Sequence, residues 1–75
     1  MEQVYEANKI FDKINYEETP LTKGEYENCT FNNCTFSNVN FSETKFIECN
    51  FNECNLSLAK MVNTLFRDVK FKDCK

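Results

Sequence analysis

Seventy-five residues with a net charge of −3 make one small domain at most, of a size whose core buries so little surface that disulfides, metals or partners often help. Five cysteines without a histidine remove the commonest metal ligand and leave an odd thiol if the others pair, so a disulfide framework is the weaker reading. No stretch approaches the roughly 20 apolar residues of a membrane span and no charged segment with an apolar run opens the chain. An aromatic content of 15% with one glycine and one proline speaks against disorder. The expectation is an ordered cytoplasmic protein with reduced thiols, outside any membrane.

Residues 1–19, MEQVYEANKIFDKINYEET, set Val4, Ile10, Phe11, Ile14 and Tyr16 among seven charges. This segment is expected to be a short amphipathic helix or an irregular first coil that covers one end of the domain. Open sheet edges invite pairing with other chains, and repeat proteins carry caps. ETPLTKGE then reads as a turn into a second segment, residues 20–75.

In that second segment the period is five. Counting from Phe31, every fifth residue is Phe36, Phe41, Phe46, Phe51, Leu56, Met61, Phe66 and Phe71, and the row runs back through Tyr26, Leu21, Tyr16 and Phe11. Two residues before each lies a second row: Cys29, Cys34, Val39, Thr44, Cys49, Cys54, Ala59, Thr64, Val69 and Cys74. All five cysteines fall in it beside valine, alanine and threonine. The row therefore asks for small side chains and not for sulfur.

Neither standard element has this period. A helix of about 3.6 residues per turn spreads positions five apart around its circumference. A strand, with a period of two, puts them on opposite faces. A chain that turns a corner every five residues does fit. The large residue and the small one two before it point inward, four corners close a square coil of 20 residues, and coils stack as parallel strands about 4.8 Å apart.

The run CTFNN CTFSN VNFSE TKFIE CNFNE CNLSL AKMVN TLFRD VKFKD C resembles the pentapeptide-repeat proteins, whose pattern is roughly A-(D/N)-L-x-x with a central phenylalanine or leucine. The likeness covers residues 24–75 clearly and 9–23 loosely. It implies an all-β fold, a right-handed quadrilateral parallel β-helix of about three coils. Cysteine replaces the usual alanine, Met61 stands at a centre, and Lys45, Lys60 and Lys70 occupy an outward Asp/Asn position. The expected core ladder is Phe31, Phe36, Phe41, Phe46, Phe51, Leu56, Met61, Phe66 and Phe71 with Cys29, Cys34, Cys49, Cys54 and Cys74. One face stacks Cys34, Cys54 and Cys74 and another Cys29, Cys49 and Val69; Phe46 lies under Phe66.

A thiolate metal or redox site is the functional alternative for the cysteines. Zinc sites hold cysteines two to four residues apart on tight turns, whereas these are five apart and point inward from adjacent faces. No histidine is present to activate a thiol. Neither catalysis nor a cofactor is expected.

Charge supplies the remaining functional signal. Residues 25–58 carry five acids and one base, whereas residues 59–75 carry five bases and two acids. Glu48 under Asp68 and Glu53 under Asp73 form stacked acidic ladders, the candidate interaction surface, with Arg67, Lys70 and Lys72 among them. Some family members, those associated with quinolone resistance, bind DNA gyrase as mimics of duplex DNA. Three alternatives follow: a scaffold or interaction module for a protein partner, the gyrase-binding mimic that the resemblance implies, or a thiol or metal protein. Direct nucleic-acid binding is not expected, since no basic aromatic surface is present. The chain stops one residue after Cys74, so the expectation is a longer parent or an open C-terminal coil completed by another chain, self-association included.

Overall fold

The corner that a period of five demands is a backbone event, and it is visible in the dihedral angles. In the computed structural model, which describes residues 3–75, twelve non-glycine residues have φ between 53° and 62°. They are Asn8, Lys13, Asn28, Asn33, Asn38, Glu43, Glu48, Glu53, Leu58, Asn63, Asp68 and Asp73. From Asn28 onward they recur at every fifth position, two residues after each inward side chain. Left-handed backbone breaks the extended run and turns the chain, and Asn and Asp tolerate it best. Glu43, Glu48, Glu53, Lys13 and Leu58 adopt it without that advantage. What holds them is the coil above and below: the Glu48 amide donates to the Arg67 carbonyl at 2.8 Å and the Glu53 amide to that of Lys72 at 2.7 Å.

Between corners the chain is extended. Strands β1 (Val4–Ala7), β3 (Gly24–Glu27), β5 (Lys45–Ile47) and β7 (Leu65–Arg67) form one parallel sheet in that order. Strands β2 (Ile10–Asp12), β4 (Thr30–Asn32), β6 (Asn50–Asn52) and β8 (Lys70–Lys72) form a second. Partners are 20 residues apart throughout: Tyr26 pairs with Phe46 and Phe46 with Phe66, and Phe11, Phe31, Phe51 and Phe71 succeed one another in the second sheet. The other two faces are held by single parallel bridges, Asn15 to Thr35, Thr35 to Asn55 and Asn40 to Lys60. There the asparagine before the inward residue caps its own turn, as where the Asn40 Oδ1 accepts the Ser42 amide at 2.9 Å and the Asn55 Oδ1 that of Ser57 at 3.0 Å. The result is the all-strand β-solenoid of about three turns that the row pattern and the family likeness implied.

The segment before residue 20 joins this lattice. Its described part forms strands β1 and β2 in register with β3 and β4, and not the helix that its apolar spacing also allowed. Gly24 makes the junction. Its φ is 153°, and a Cβ there would lie 2.0 Å from the Val4 carbonyl oxygen, so the first coil passes where only glycine leaves room.

Inside, ring stacking repeats the strand spacing. Within a column the rings are nearly parallel, with centroids 4.9 Å apart for Phe31 and Phe51, 4.8 Å for Tyr16 and Phe36, and 5.5 Å for Phe46 and Phe66. Between columns they meet edge to face, Phe46 on Phe51 at 5.2 Å and 73° and Phe31 on Phe36 at 5.6 Å and 71°. Both arrangements suit the ring quadrupole. Phe31, Phe36, Phe41, Phe46 and Phe51 are fully buried. Two members of the expected core depart from it: Met61 and Phe71 keep their places in the rows but are 45% and 47% exposed. Leu56, Phe66 and Cys74 are half-buried. The cause is position in the stack, because these residues top their columns and have neighbours on one side only.

Truncating two phenylalanines of one column separates position from chemistry. Phe51→Ala is expected to cost about 3–5 kcal/mol in urea-melt stability. Phe71→Ala should cost less than half as much; equal costs for the two would contradict the stacked core.

Candidate functional site

The cysteine columns are the first chemical candidates. Cys29, Cys34, Cys49 and Cys54 are buried, Cys74 is half-buried, and all five are free thiols. Each Sγ faces the carbonyl of the inward residue one coil below: Cys49 that of Tyr26, Cys54 that of Phe31 and Cys74 that of Phe51, all at 3.2 Å. Cys34 reaches Phe11 at 3.5 Å and Cys29 reaches Glu6 at 3.6 Å. Thr64 does the same through its hydroxyl, to the Phe41 carbonyl at 2.8 Å. The small row therefore prefers a small side chain that also donates a hydrogen bond, a weak one for the thiol. The sequence carries only one sign of this role, the mixture of Cys and Thr in that row.

Burial works against thiolate formation. Desolvation pushes the Cys54 thiol up to about 11, and it raises those of Cys34 and Cys49 as well. A reactive cysteine needs the opposite shift. Burial likewise raises the Tyr16 hydroxyl and pushes that of Tyr26 up to about 12; the Tyr26 hydroxyl donates to the Thr22 carbonyl. Among the described residues no three of Cys, Asp and Glu converge in a metal-ligand arrangement.

The acidic candidates lie on the corners. Glu48 and Asp68 top one corner column above Asn8 and Asn28, and Glu53 and Asp73 top the next above Lys13 and Asn33. All four are exposed, and the two columns border the outer face of the β2-β4-β6-β8 sheet. That face presents Thr30, Asn32, Asn50 and Asn52 in two vertical rows, with the Asn52 Nδ2 donating to the Asn32 Oδ1 at 2.9 Å. A similar amide contact joins Asn28 to Asn8 at 2.6 Å. Lys70 and Lys72 end the two rows, so in the last coil two ammonium groups lie between the carboxylates of Asp68 and Asp73. Lys45, Lys60 and Lys70 are exposed, in keeping with an outward position.

On the outer side of the β1-β3-β5-β7 sheet, a shallow groove of about 540 Å³ runs along the corner between Glu43 and Lys45, lined by Tyr5, Gly24, Glu25 and Leu65. Tyr5 is held there by donating its hydroxyl to the Glu27 carboxylate. The groove brings together no nucleophile with a base.

A family model described as a pentapeptide repeat region matches residues 25–75. The chain belongs to the pentapeptide-repeat family. Solved structures of QnrB1, a plasmid-mediated fluoroquinolone resistance protein, share its fold. The full-length form aligns with a TM-score of 0.76 at 23% identity, covering 95% of this chain and 43% of that one. A trypsin-treated variant aligns at 0.60 with 30% identity over 89% of this chain and 33% of its own, and another at 0.59 with 23% identity over 97% and 42%. This chain thus spans less than half the length of these structural relatives. No curated protein matches the sequence.

The raised thiol and phenol values predict an alkaline limit with a definite sign. Cys54 ionises near 9.0 in the unfolded chain and about 11 in the fold, and Tyr26 near 10.0 and about 12. Between those values the folded state holds more protons, so stability falls as pH rises. Melting temperature should be flat from pH 6 to 8 and decline from about pH 9 upward; a melting temperature that climbs from pH 9 to 11 would contradict the burial of these groups.

Proposed function

We propose that the chain is a non-enzymatic scaffold whose outer faces bind a protein partner. The observation that carries this reading is the use of every thiol as a hydrogen-bond donor to the coil below, which leaves the interior committed to stacking and the outer faces as the variable surface. Photo-cross-linking residues placed singly at outward positions 30 and 50, on one face, and 60, on another, test it in cells: the same protein should be trapped from one of these two faces and not from the other. Absence of any protein adduct at all three positions would remove the reading.

A second reading has support from the acidic corners and from the likeness to QnrB1: the chain, or a longer protein that contains it, binds DNA gyrase as a mimic of duplex DNA. Duplex DNA shows about one charge per 1.7 Å of axis. The columns Glu48 with Asp68 and Glu53 with Asp73 supply acids at a stacking rise of about 4.8 Å, and Arg67, Lys70 and Lys72 offset them. Charge density therefore favours the unspecified partner over gyrase. In a gyrase supercoiling assay, inhibition that disappears when Glu48, Glu53, Asp68 and Asp73 are changed to lysine would establish the mimic; no inhibition and no relief from quinolone would discard it.

A further inference from the structure

Among the described residues, left-handed corners fall at every fifth position from 8 to 73 except at Glu18 and Lys23. In place of the first, the Glu18 and Thr19 amides both fold back on the Asn15 carbonyl, at 3.3 and 3.1 Å. Pro20, with no amide to carry that turn further, ends it. The chain thus leaves the ladder between two intact pairings, Asn15 with Thr35 and Glu25 with Lys45. The coil above shows what is missing. There the Lys60 amide donates to the Val39 carbonyl at 2.9 Å, and the Lys60 carbonyl accepts the Phe41 amide at 2.8 Å. Main-chain groups of successive extended residues point to opposite sides, so the Asn40 N–H and C=O point toward the first coil. By register their partners are the Thr19 carbonyl and the Leu21 amide, and among the described residues neither bond is made. Between them lies a groove of about 430 Å³ floored by Tyr16, Leu21 and Val39. Glu17 stands at one end of it and Lys23 at the other. The Glu17 carboxylate accepts only the Asn38 Nδ2, at 3.3 Å. Lys23 is half-buried and has no ion-pair partner among the described residues.

We propose that this groove binds an extended peptide segment of a partner protein, which supplies the strand that the first coil withholds. One carbonyl of the segment accepts the Asn40 N–H, and an amide two residues further on donates to the Asn40 carbonyl. Main-chain bonds of this kind give affinity in strand addition, and side-chain pockets give specificity. The apolar floor takes one aliphatic side chain. Running in the sense of the coils on either side, the segment sets its first residue beside Glu17 and its last beside Lys23. A basic residue ahead of a short aliphatic pair and an acidic residue after it therefore match both ends. The site lies within the stack, between the first and second coils, so it is the same whatever follows residue 75. It deepens the scaffold reading and rests on it: failure of the peptide below, with adducts still trapped at positions 30 or 50, would discard the groove and keep that reading.

Amide NMR titration of the full chain with acetyl-Lys-Val-Val-Glu-amide tests this. Saturable shifts are expected at Leu21, Val39 and Asn40, and hydrogen exchange at the Asn40 amide should slow about tenfold at saturation. The same peptide methylated on both valine nitrogens keeps its side chains but loses those donors, and it should bind at least tenfold more weakly. So should acetyl-Glu-Val-Val-Lys-amide, whose charges are reversed. Glu18→Asn/Pro20→Asn restores a corner residue and removes the stop. In that variant exchange at Asn40 should be slow without peptide, and binding should be lost. Lys23→Glu leaves the ladder alone and should shift preference toward a peptide with a basic last residue, acetyl-Lys-Val-Val-Lys-amide, by at least fivefold. No saturable shift, equal binding of the methylated or reversed peptide, binding that survives the double substitution, or an unchanged preference in Lys23→Glu would each overturn the proposal.

Discussion

Everything in this molecule depends on a left-handed residue recurring every fifth position. Each corner turns the chain before a strand can exceed three or four residues, and four of them return it to a point directly above its start. Stacking then needs no further instruction, because residues 20 apart share a face and a direction. The backbone is unfavourable for Glu, Lys or Leu at a corner. It is kept by the inter-coil amide bonds and by rings whose 4.8–5.5 Å spacing matches the strand separation. Corner, ladder and ring stack each fail without the other two, as expected of a repeat array stabilised between neighbours.

That interdependence explains how much was legible in the sequence. The phenylalanine row and the cysteine row have a period that no straight element shares, so coil size, partners 20 apart and the inward rows could all be read directly. Phe46 under Phe66 is one such pairing. Three features could not. The start of the first coil hides because Glu6 and Lys9 take places in the two rows and apolar Ile10 an outward one, so only Phe11, Tyr16 and Leu21 carry the pattern there. The thiols' hydrogen bonds hide because carbonyl direction is a property of the stacked coils. Exposure of Met61 and Phe71 hides because burial depends on what lies above a residue, which its place in a row does not specify.

The candidate site was legible in placement and less so in meaning. Glu48 with Asp68 and Glu53 with Asp73 do form columns, and the reason is now physical: they are the corner residues, so their side chains project from the edges of the square. The corner also accounts for Asn8 and Asn28 beneath the first pair, which suit the same backbone and bond to each other, and for Asn33 beneath the second. Thus the acidic ladder is at once a structural position and an accessible surface. A partner that reads such a surface meets a flat, stiff object whose charge changes sign along its axis.

The central claim is that positions 20 apart, and not 15 or 25, are vertical neighbours. Disulfide trapping between outward positions tests it most directly, by mass spectrometry of Thr30→Cys/Asn50→Cys beside Thr30→Cys/Lys45→Cys under one mild oxidant. Rapid intramolecular cross-linking is expected for the pair 20 apart and little for the pair 15 apart. Equal rates for the two pairs, or faster trapping of 30 with 45, would contradict it.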